Sequence, residues 1–379
     1  MLASPGANGW CTVPGRGMRL FSDLRRAVRC YQVDWVSLLR RIAYLRSHGG
    51  FTAREALQEG LLDTRVPESA LAGTISKRTL VQLQRLVNPV QFDCLTEDKG
   101  IFYTYCGAKG LPIPRLFGVA ARPTGFSAEG CPLRDKADWQ AFVAGLPAEF
   151  VVKPSQGVYG WGVEIFRRDA GGFVGSASGR HSEESMGAAF FTDPRYSTFV
   201  IQERLVAHPA MQHLSGTPYL QTVRMVTDVD DQGVSRVVCA MLRIIAGAAV
   251  VDNYAQGTNG NLSCLVDLAD GILDLPLGVG PDGFGVVPVP HHPKTGVPFR
   301  GFRLPDWKAA CALANRAALL FLPMRSLGWD IALTAGGPRI VEANNRWDPV
   351  NFLVAQAENP ARTADLVALL NRLRNQPRH

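Results

Sequence analysis

The sequence lacks several features that would assign it to common classes of protein. No stretch approaches the roughly 20 uninterrupted apolar residues of a membrane-spanning helix. None of the eight cysteines forms a CxxC pair, so neither a zinc site nor a disulfide framework is expected. The start shows no charged segment followed by an apolar one, which argues against a secretory signal. We therefore expect a reduced, cytoplasmic protein of 379 residues with more than one domain or subdomain.

Acidic residues are scarce in the first part of the chain. The whole sequence carries a net charge of +7, and residues 1–60 hold nine arginines against four acidic residues. Such a basic segment can face a nucleic acid, an anionic membrane surface or an acidic partner. The arginines are interleaved with apolar residues at helical spacing, which favours a solvated helix face and no nucleic-acid partner.

Apolar residues at three- and four-residue steps predict a helical region before residue 90 and further helices beyond it. The predicted helices are one or two over Leu20–Arg46, one over Ser76–Val87, one over Glu97–Lys109, one over Lys136–Ala144, and one from Pro305 to about Leu327. Thr96 is the predicted N-cap of the helix that contains Lys99. Residues 167–198 are rich in Gly and Ser and are predicted to form a variable loop.

A glycine-rich segment lacks the two patterns by which nucleotide-binding loops are usually found. Gly157, Gly160 and Gly162 separate two strand-like runs, Phe150–Lys153 and Val163–Phe166. A Walker A loop and a Rossmann loop both open a helix, so neither fits this segment. A strand–loop–strand can instead fold over a nucleotide, with backbone N–H groups and the preceding lysine on the phosphates. An ordinary hairpin is the alternative interpretation.

Two short runs near the carboxyl end predict a second hairpin. Trp329–Thr334 and Arg339–Asn344 each alternate in side-chain polarity, and Ala335–Pro338 between them contains two glycines that suit a tight turn. Alternation in the second run places Arg339, Val341 and Ala343 on one face and Ile340, Glu342 and Asn344 on the other.

The length of the turn decides which residues of this hairpin face each other. A two-residue loop at the glycine pair places Asp330 opposite Ala343, whereas a three-residue loop places it opposite Glu342, with Asn344 on the same face. We favour the three-residue loop because it gathers two carboxylates and an amide oxygen. Such hard oxygen ligands suit Mg²⁺, which completes its shell with water and phosphate oxygens. A surface hairpin with solvated polar residues is the alternative.

The order of five elements along the chain resembles the ATP-grasp superfamily. The elements are a lysine that opens a helix, V-K-P before the glycine loop, I-Q-E-R-L in a later strand, a strand arginine, and W-D followed by V-E-A-N. The resemblance runs from about Asp93 to Pro349 and is strongest to the sugar-transfer-associated, α-L-glutamate-ligase-related branch. It implies an α+β fold in which two α+β subdomains clasp ATP. The implied division is a helical N-terminal extension (1–90), a small subdomain with a glycine-rich lid (91–201) and a large subdomain with the metal site (202–379).

The resemblance also implies a role for each residue that matches a superfamily motif. For the nucleotide these are Lys99 and Lys153 on the phosphates, Gly157, Gly160 and Gly162 in the lid, and Gln202, Glu203 and Leu205 at the adenine hinge. For Mg²⁺ they are Asp330, Glu342 and Asn344, with Glu342 bridging two ions. The implied catalytic cations are Arg224, Arg243 and Lys153. The acidic ribose contact that is usual after the hinge is missing, and His208 is the substitute expected there.

These roles imply an ATP- and Mg²⁺-dependent carboxylate–amine ligase. ATP would phosphorylate the carboxylate to an acyl phosphate, and an amine would then displace phosphate to form an amide bond, releasing ADP and phosphate. The substrates would be small molecules, such as an amino acid, a peptide or a sugar-linked compound. Two alternatives stay open. One is a phosphotransferase that stops at a phosphorylated small molecule or sugar, and the other is a non-catalytic protein that binds a glycan, a nucleic acid or a membrane surface.

Overall fold

A group of helices precedes two antiparallel sheets, and further helices pack on the sheets. The computed structural model describes residues 20–122, 124–157, 160–191, 194–247, 252–254, 259–280, 285–355, 357 and 359–375. Across these ranges every helix is too short or too polar to cross a membrane.

The N-terminal region is helical, as the apolar spacing predicts. Its helices are α1 (Leu20–Cys30), α2 (Trp35–Gly49), α3 (Ala53–Gln58), α4 (Glu68–Leu71) and α5 (Lys77–Val87). The inner faces of α1 to α4 bury one apolar cluster that includes Leu38, Leu45, Leu57 and Leu61. Arg25, Arg29 and Arg40 are exposed, as predicted for a solvated face. Arg41 is the exception, because it is buried and donates to the Leu61 carbonyl at 2.6 Å.

The helix that carries Lys99 starts later than predicted. The chain forms α6 (Cys94–Glu97), breaks, and continues as α7 (Lys99–Ala108). The predicted Thr96 cap is wrong, because the Thr96 hydroxyl donates to the Asp93 carbonyl within the preceding turn. Asp98 is the N-cap and accepts from the Ile101 N–H at 3.1 Å. Lys99 is therefore the first residue of α7.

The first sheet is built from the middle of the chain. Its strands are β1 (Leu116–Ala121), β2 (Gly125–Ser127), β3 (Pro132–Leu133), β4 (Glu149–Pro154), β5 (Glu164–Asp169), β6 (Gly172–Gly175), β7 (Gly179–His181) and β8 (Thr198–Glu203), and its helices are α8 (Lys136–Ala144) and α9 (Met186–Ala189). The order is β3-β2-β1-β8-β4-β5-β6-β7. The predicted loop over 167–198 is wrong, since this stretch supplies β6, β7 and α9. Glycines obscure its strand pattern, but Phe173 and Phe190 are fully buried against Phe150, and that burial stabilises the added strands.

The second sheet has both faces covered. Its strands are β9 (Thr222–Val229), β10 (Ser235–Ile244), β11 (Leu262–Leu265), β12 (Leu277–Val279), β13 (Val286–Pro288), β14 (Ser326–Thr334) and β15 (Gly337–Asn344), and the helices nearby in sequence are α10 (Pro209–Ser215), α11 (Trp307–Leu320), α12 (Asn351–Ala355) and α13 (Ala364–Arg374). The order is β13-β12-β11-β10-β9-β14-β15. One face packs on α7 and α11 and the other on α5 and α13, so every residue of β14 is buried. The predicted end of α11 at Leu327 is wrong, because Pro323 cannot donate a helical hydrogen bond and β14 begins at Ser326.

The turn between β14 and β15 is shorter than predicted. Thr334 pairs with Gly337, so the loop holds two residues rather than the three that we favoured. Gly337 has a φ of 92°, which glycine adopts without strain. Continued without interruption, this register would place Asp330 opposite Val341 and turn Glu342 to the opposite face.

A β-bulge at Val341 restores the predicted pairing. Ile331 pairs with Ile340 and Asp330 pairs with Glu342, so Val341 is an extra residue in β15. The bulge reverses the side-chain alternation. Ile340, predicted on the same face as Glu342, is instead fully buried in the core. Asp330 and Glu342 lie directly opposite each other and therefore share one face.

Asn88, the residue after α5, ties the helical region to this hairpin. Its side-chain nitrogen donates to the carbonyls of Ser326 and Asn345 at 2.7 and 2.8 Å. Its side-chain oxygen accepts from the N–H groups of Arg325 and Ser326, each at 3.0 Å. Asn88 is buried, so one amide satisfies four backbone groups that the fold has removed from water.

We expect Asn88→Leu to lower the free energy of unfolding by at least about 3 kcal/mol, because it leaves several buried backbone groups unpaired. Urea unfolding measures the change. The control is Asn371→Leu on the exposed face of α13, which should change stability by less than about 0.5 kcal/mol. Equal losses in the two variants would contradict the role of Asn88.

Candidate active site

A cleft between the two sheets encloses a cavity of about 640 Å³. The first sheet and its glycine-rich loop contribute apolar side chains to the wall, among them Val151, Val163 and Ile165. The second sheet contributes charged side chains, namely Arg224, Arg243, Asp330 and Glu342. An apolar wall with a few convergent polar groups is the usual form of a small-molecule site.

Most of the predicted site residues line this cavity. They are Lys99, Lys153, Gly157, Gly160, Gln202, Glu203, Leu205, Arg224, Arg243, Asp330, Glu342 and Asn344. Gly162 and His208 do not line it. The structure places the His208 ring at the start of α10, where Nδ1 accepts from the Ala210 N–H at 3.1 Å. His208 therefore acts as a helix cap here, and a ribose contact from it is not supported.

The glycine-rich loop is anchored at its start and turned by its glycines. The N–H of Lys99 donates to the Ser155 carbonyl at 3.0 Å, and the Lys99 ammonium donates to the Gly157 carbonyl at 2.9 Å. Gly160 and Gly162 have φ of 73° and 69°, a conformation that other residues rarely adopt. The same Lys99 ammonium lies 4.0 Å from a Glu342 oxygen, so it links the loop to the second sheet.

The predicted adenine hinge is held against β1. The N–H and the carboxylate of Glu203 bond to the carbonyl and the N–H of Arg115, at 2.8 and 3.0 Å. Gln202 is buried, and its Oε1 has no hydrogen-bond partner in the part of the chain that is described. A buried acceptor without a partner is costly unless a ligand satisfies it.

Lys153 is a buried cation in the middle of the cleft. It is 6% exposed, and its ammonium donates to the Tyr103 hydroxyl at 2.8 Å. Burial, together with the nearby charge of Lys99, lowers the pKa of Lys153 to about 7, although Glu342 and Asp330 oppose the shift. The side chain can therefore be neutral or charged near neutral pH.

If the cleft binds Mg²⁺-ATP, as the resemblance implies, we expect the protein to take up close to one proton per bound nucleotide at pH 8, and much less at pH 6. With a pKa of about 7, Lys153 is mostly neutral at pH 8, and phosphate groups beside it favour the protonated form. Calorimetry of Mg²⁺-ATP binding in buffers of different ionisation enthalpy measures the uptake. Lys153→Met should abolish it, and an unchanged uptake in this variant would contradict the assignment.

Asp330 is the acceptor for two arginines. Its carboxylate is 1% exposed and forms an ion pair through both oxygens with Arg224, and Arg243 donates to one of them at 2.6 Å. Burial alone would raise the pKa of Asp330, but the two guanidinium groups hold it well below its usual range. The register brings these groups together, since Asp330 on β14 pairs with Arg224 on β9.

The arginine network extends to Asp252, which was not predicted as an individual site residue, although the 252–262 loop was expected at the acceptor pocket. The Asp252 carboxylate accepts from the N–H and the hydroxyl of Thr222, both at 2.6 Å. Arg243 donates to the same hydroxyl and lies 3.6 Å from the Asp252 carboxylate. No local sequence pattern marks Asp252, because its partners belong to β9 and β10.

Two other residues at the cleft were missed in the sequence. Tyr103 donates from its hydroxyl to the Val341 carbonyl at 2.6 Å. Its position four residues after Lys99 is a signal that was available, because such residues share a helix face. Lys77 of α5 lines the cavity, donates to the Arg346 carbonyl at 2.9 Å and pairs with Asp348 at 2.6 Å. Nothing in the helical region pointed to Lys77.

The predicted metal ligands offer hard oxygen donors only. Among the described residues, no three His, Cys, Asp or Glu side chains are grouped to hold a metal ion. The set is limited to the carboxylates of Asp330 and Glu342 and the amide of Asn344, which lies opposite Gly328. Mg²⁺ takes one or two carboxylates and completes its shell with water and phosphates, so this set fits Mg²⁺ with a nucleotide. Asp330 can bind the metal ion while it accepts hydrogen bonds from the two arginines, since a carboxylate has about four acceptor sites.

The two antiparallel sheets and the charged cleft between them define an ATP-grasp protein. The model of the family described as sugar-transfer associated ATP-grasp matches residues 78–363. The chain belongs to this family, which confirms the resemblance inferred from the order of sequence elements. No curated protein matches the chain in sequence.

Solved structures that match the chain are distant. An L-amino acid ligase from Bacillus licheniformis shares 10% identity over 66% of this chain and 41% of its own, with a TM-score of 0.35. The D-alanine–D-alanine ligase from Coxiella burnetii shares 11% over 78% and 66%, with a TM-score of 0.39. That of Bacillus anthracis, complexed with ATP, shares 12% over 75% and 69%, with a TM-score of 0.34. The chain thus spans less than half of the first of these proteins.

Proposed function

We propose that the protein is a Mg²⁺-dependent, ATP-consuming ligase that joins the carboxylate of one small molecule to the amine of another. The observation that carries the proposal is the convergence of four cations and two carboxylates on one cavity: Lys99, Lys153, Arg224, Arg243, Asp330 and Glu342. This combination suits a polyphosphate held together with Mg²⁺. Membership of an ATP-grasp family supports ATP as the nucleotide.

In the proposed reaction, a carboxylate oxygen of the substrate attacks the γ-phosphorus of ATP, and the bond to ADP breaks. The amine nitrogen then attacks the acyl carbon and loses a proton, and phosphate leaves as the amide forms. Lys99 and Lys153 would hold the phosphates, while Arg224 and Arg243 offset charge on the transferring phosphoryl group. When bound to the predicted ligands, Mg²⁺ would add further neutralisation of that charge.

The first sheet would bind the adenine. Val151 and Ile165 offer apolar faces in the cavity wall, and stacking between apolar side chains suits a planar base. The Oε1 of Gln202, which has no partner among the described residues, can accept a hydrogen bond from the exocyclic amino group of adenine. The backbone of Leu205, which also lines the cavity, is the other proposed hinge contact.

The helical region would complete the acceptor side of the cleft, because Lys77 lines the cavity. We keep the division into 1–90, 91–201 and 202–379 as a proposal. β8 is the last strand of the first sheet along the chain, and β9 is the first strand of the second sheet. The chain therefore passes from one sheet to the other shortly after the proposed boundary at residues 201 and 202. We propose the cytoplasm as the location of the protein, where ATP is available to it.

The proposal is tested by calorimetry with Mg²⁺-ATP, followed by a screen of carboxylates and amines for ADP release. We expect Mg²⁺-dependent binding and formation of ADP, phosphate and an amide, identified by mass spectrometry. Formation of AMP and pyrophosphate would contradict the mechanism. Phosphate retained on the acceptor would identify a phosphotransferase, and absence of Mg²⁺-ATP binding would indicate a non-catalytic protein.

A further inference from the structure

Tyr103 connects the two sheets through a single oxygen atom. It lies on α7 and is 1% exposed. Its hydroxyl donates to the Val341 carbonyl of β15 at 2.6 Å and accepts from the Lys153 ammonium of β4 at 2.8 Å. The residues on either side of this oxygen belong to the phosphate-binding and metal-binding halves of the proposed site.

The carbonyl that Tyr103 binds belongs to the bulged residue. β15 is the last strand in the order of the second sheet, so a bulge there lacks a further strand to restrain it. The N–H of Ile340 donates to the Pro112 carbonyl at 2.8 Å, and Tyr103 binds the next residue along. These two contacts hold the strand immediately before Glu342.

The same hydroxyl restrains Lys153. An ammonium group that is removed from water needs hydrogen-bond acceptors, and the Tyr103 oxygen is one. The hydroxyl therefore acts on two groups that face the cavity from opposite sheets. Loss of this one oxygen removes the donor to the Val341 carbonyl and the acceptor that Tyr103 offers to Lys153.

We propose that Tyr103 is a positioning residue that holds Glu342 and Lys153 in the arrangement needed for a Mg²⁺-bound nucleotide. This inference rests on the proposed function. Tyr103 itself does not line the cavity, so it acts through the bulge and through Lys153. The bulge turns Glu342 toward the cavity, and the hydrogen bond from Tyr103 to Val341 keeps Glu342 in that position.

Tyr103→Phe tests the inference, because it removes the hydroxyl and keeps the ring. We expect the affinity for Mg²⁺-ATP, measured by calorimetry, to fall about tenfold or more, since the hydroxyl bonds a charged group and a buried carbonyl. The loss should be smaller for ATP in excess chelator, where Glu342 has no ion to bind. Thermal unfolding of the variant shows whether the fold is retained.

A matched control lies two residues along the same helix. The Tyr105 hydroxyl donates to the Leu320 carbonyl at 2.5 Å, and Tyr105 does not line the cavity. Tyr105→Phe should therefore lose comparable stability with no change in nucleotide affinity.

Three results would overturn the inference. Affinity in Tyr103→Phe equal to that in Tyr105→Phe would remove the positioning role and leave the proposed function intact. An equal loss of affinity with and without Mg²⁺ would show that the hydroxyl acts on Lys153 alone. A wild-type protein that binds no Mg²⁺-ATP would overturn the proposed function, and this inference with it.

Discussion

Replacing Glu342 with glutamine is expected to lower ATP turnover by about 10²- to 10³-fold while leaving the protein folded. The Glu342 side chain is 32% exposed, and its ion pair with Lys99 spans 4.0 Å. The fold therefore depends little on its charge. In the proposed function that charge binds Mg²⁺, and glutamine preserves the size of the side chain while removing the charge.

Turnover is measured as ADP release with the acceptor that the substrate screen identifies, and Mg²⁺-ATP binding is measured by calorimetry. Glu97→Gln is the control, because Glu97 lines the same cavity but pairs with Arg346 at 3.2 Å. It should turn over ATP at nearly the wild-type rate. If Glu342→Gln turns over ATP at the wild-type rate, Glu342 is not a ligand of the metal ion.

The second large effect concerns stability. Asp330→Ala is expected to lower the free energy of unfolding by about 3–5 kcal/mol, as is typical when one member of a buried ion pair is removed. Both guanidinium groups that Asp330 neutralises, those of Arg224 and Arg243, are nearly buried. The variant leaves them facing each other without the carboxylate between them, so their mutual repulsion adds to the cost.

Urea unfolding measures this loss. Glu184→Ala removes an exposed ion pair with Lys136, at 3.7 Å, and should cost less than about 1 kcal/mol. If Asp330→Ala lowers the free energy of unfolding by no more than Glu184→Ala does, the buried ion pairs of Asp330 do not stabilise the fold as described. A combined result, in which Asp330→Ala loses stability and Glu342→Gln loses only turnover, would show that Asp330 stabilises the buried network whereas the charge of Glu342 does not stabilise the fold.

The order of the motifs was sufficient to predict the fold and many of the residues that line the cavity. Lys99, Lys153 and Glu203 lie far apart in sequence, and no local pattern links them. Their order matched a known family, and the structure brings them to one cavity. The binding roles assigned to them stay predictions. His208 is a helix cap because Pro209 starts α10 directly after it, so its ring accepts from a backbone N–H and does not line the cavity.

The parts that could not be predicted depend on contacts between distant segments. Asp330 meets Arg224 and Arg243 only once β9, β10 and β14 are neighbours, so its double ion pair was not visible in the sequence. The strands within 167–198 were hidden by glycines and are stabilised by aromatic burial. The break before Lys99 accompanies a hydrogen bond from the Thr96 hydroxyl to the Asp93 carbonyl before it, where the sequence suggested that Thr96 would accept from an N–H after it.

The bulge was invisible for another reason. Ile340 and Val341 are adjacent, both are β-branched, and either can fill the core position opposite Ile331. A two-residue turn with a bulge buries Ile340, and a three-residue turn without one would bury Val341. Both arrangements place Asp330 opposite Glu342.

The pairing of these carboxylates is therefore specified redundantly. A one-residue deletion in the turn can be absorbed by losing the bulge, which keeps a two-residue turn and exchanges Ile340 for Val341 in the core. The chain at the turn can then differ in length by one residue while the pairing of the two carboxylates at the other end of the hairpin is kept. A hairpin with this degeneracy tolerates the loss of a turn residue, which would shift the register of a regular two-stranded ladder.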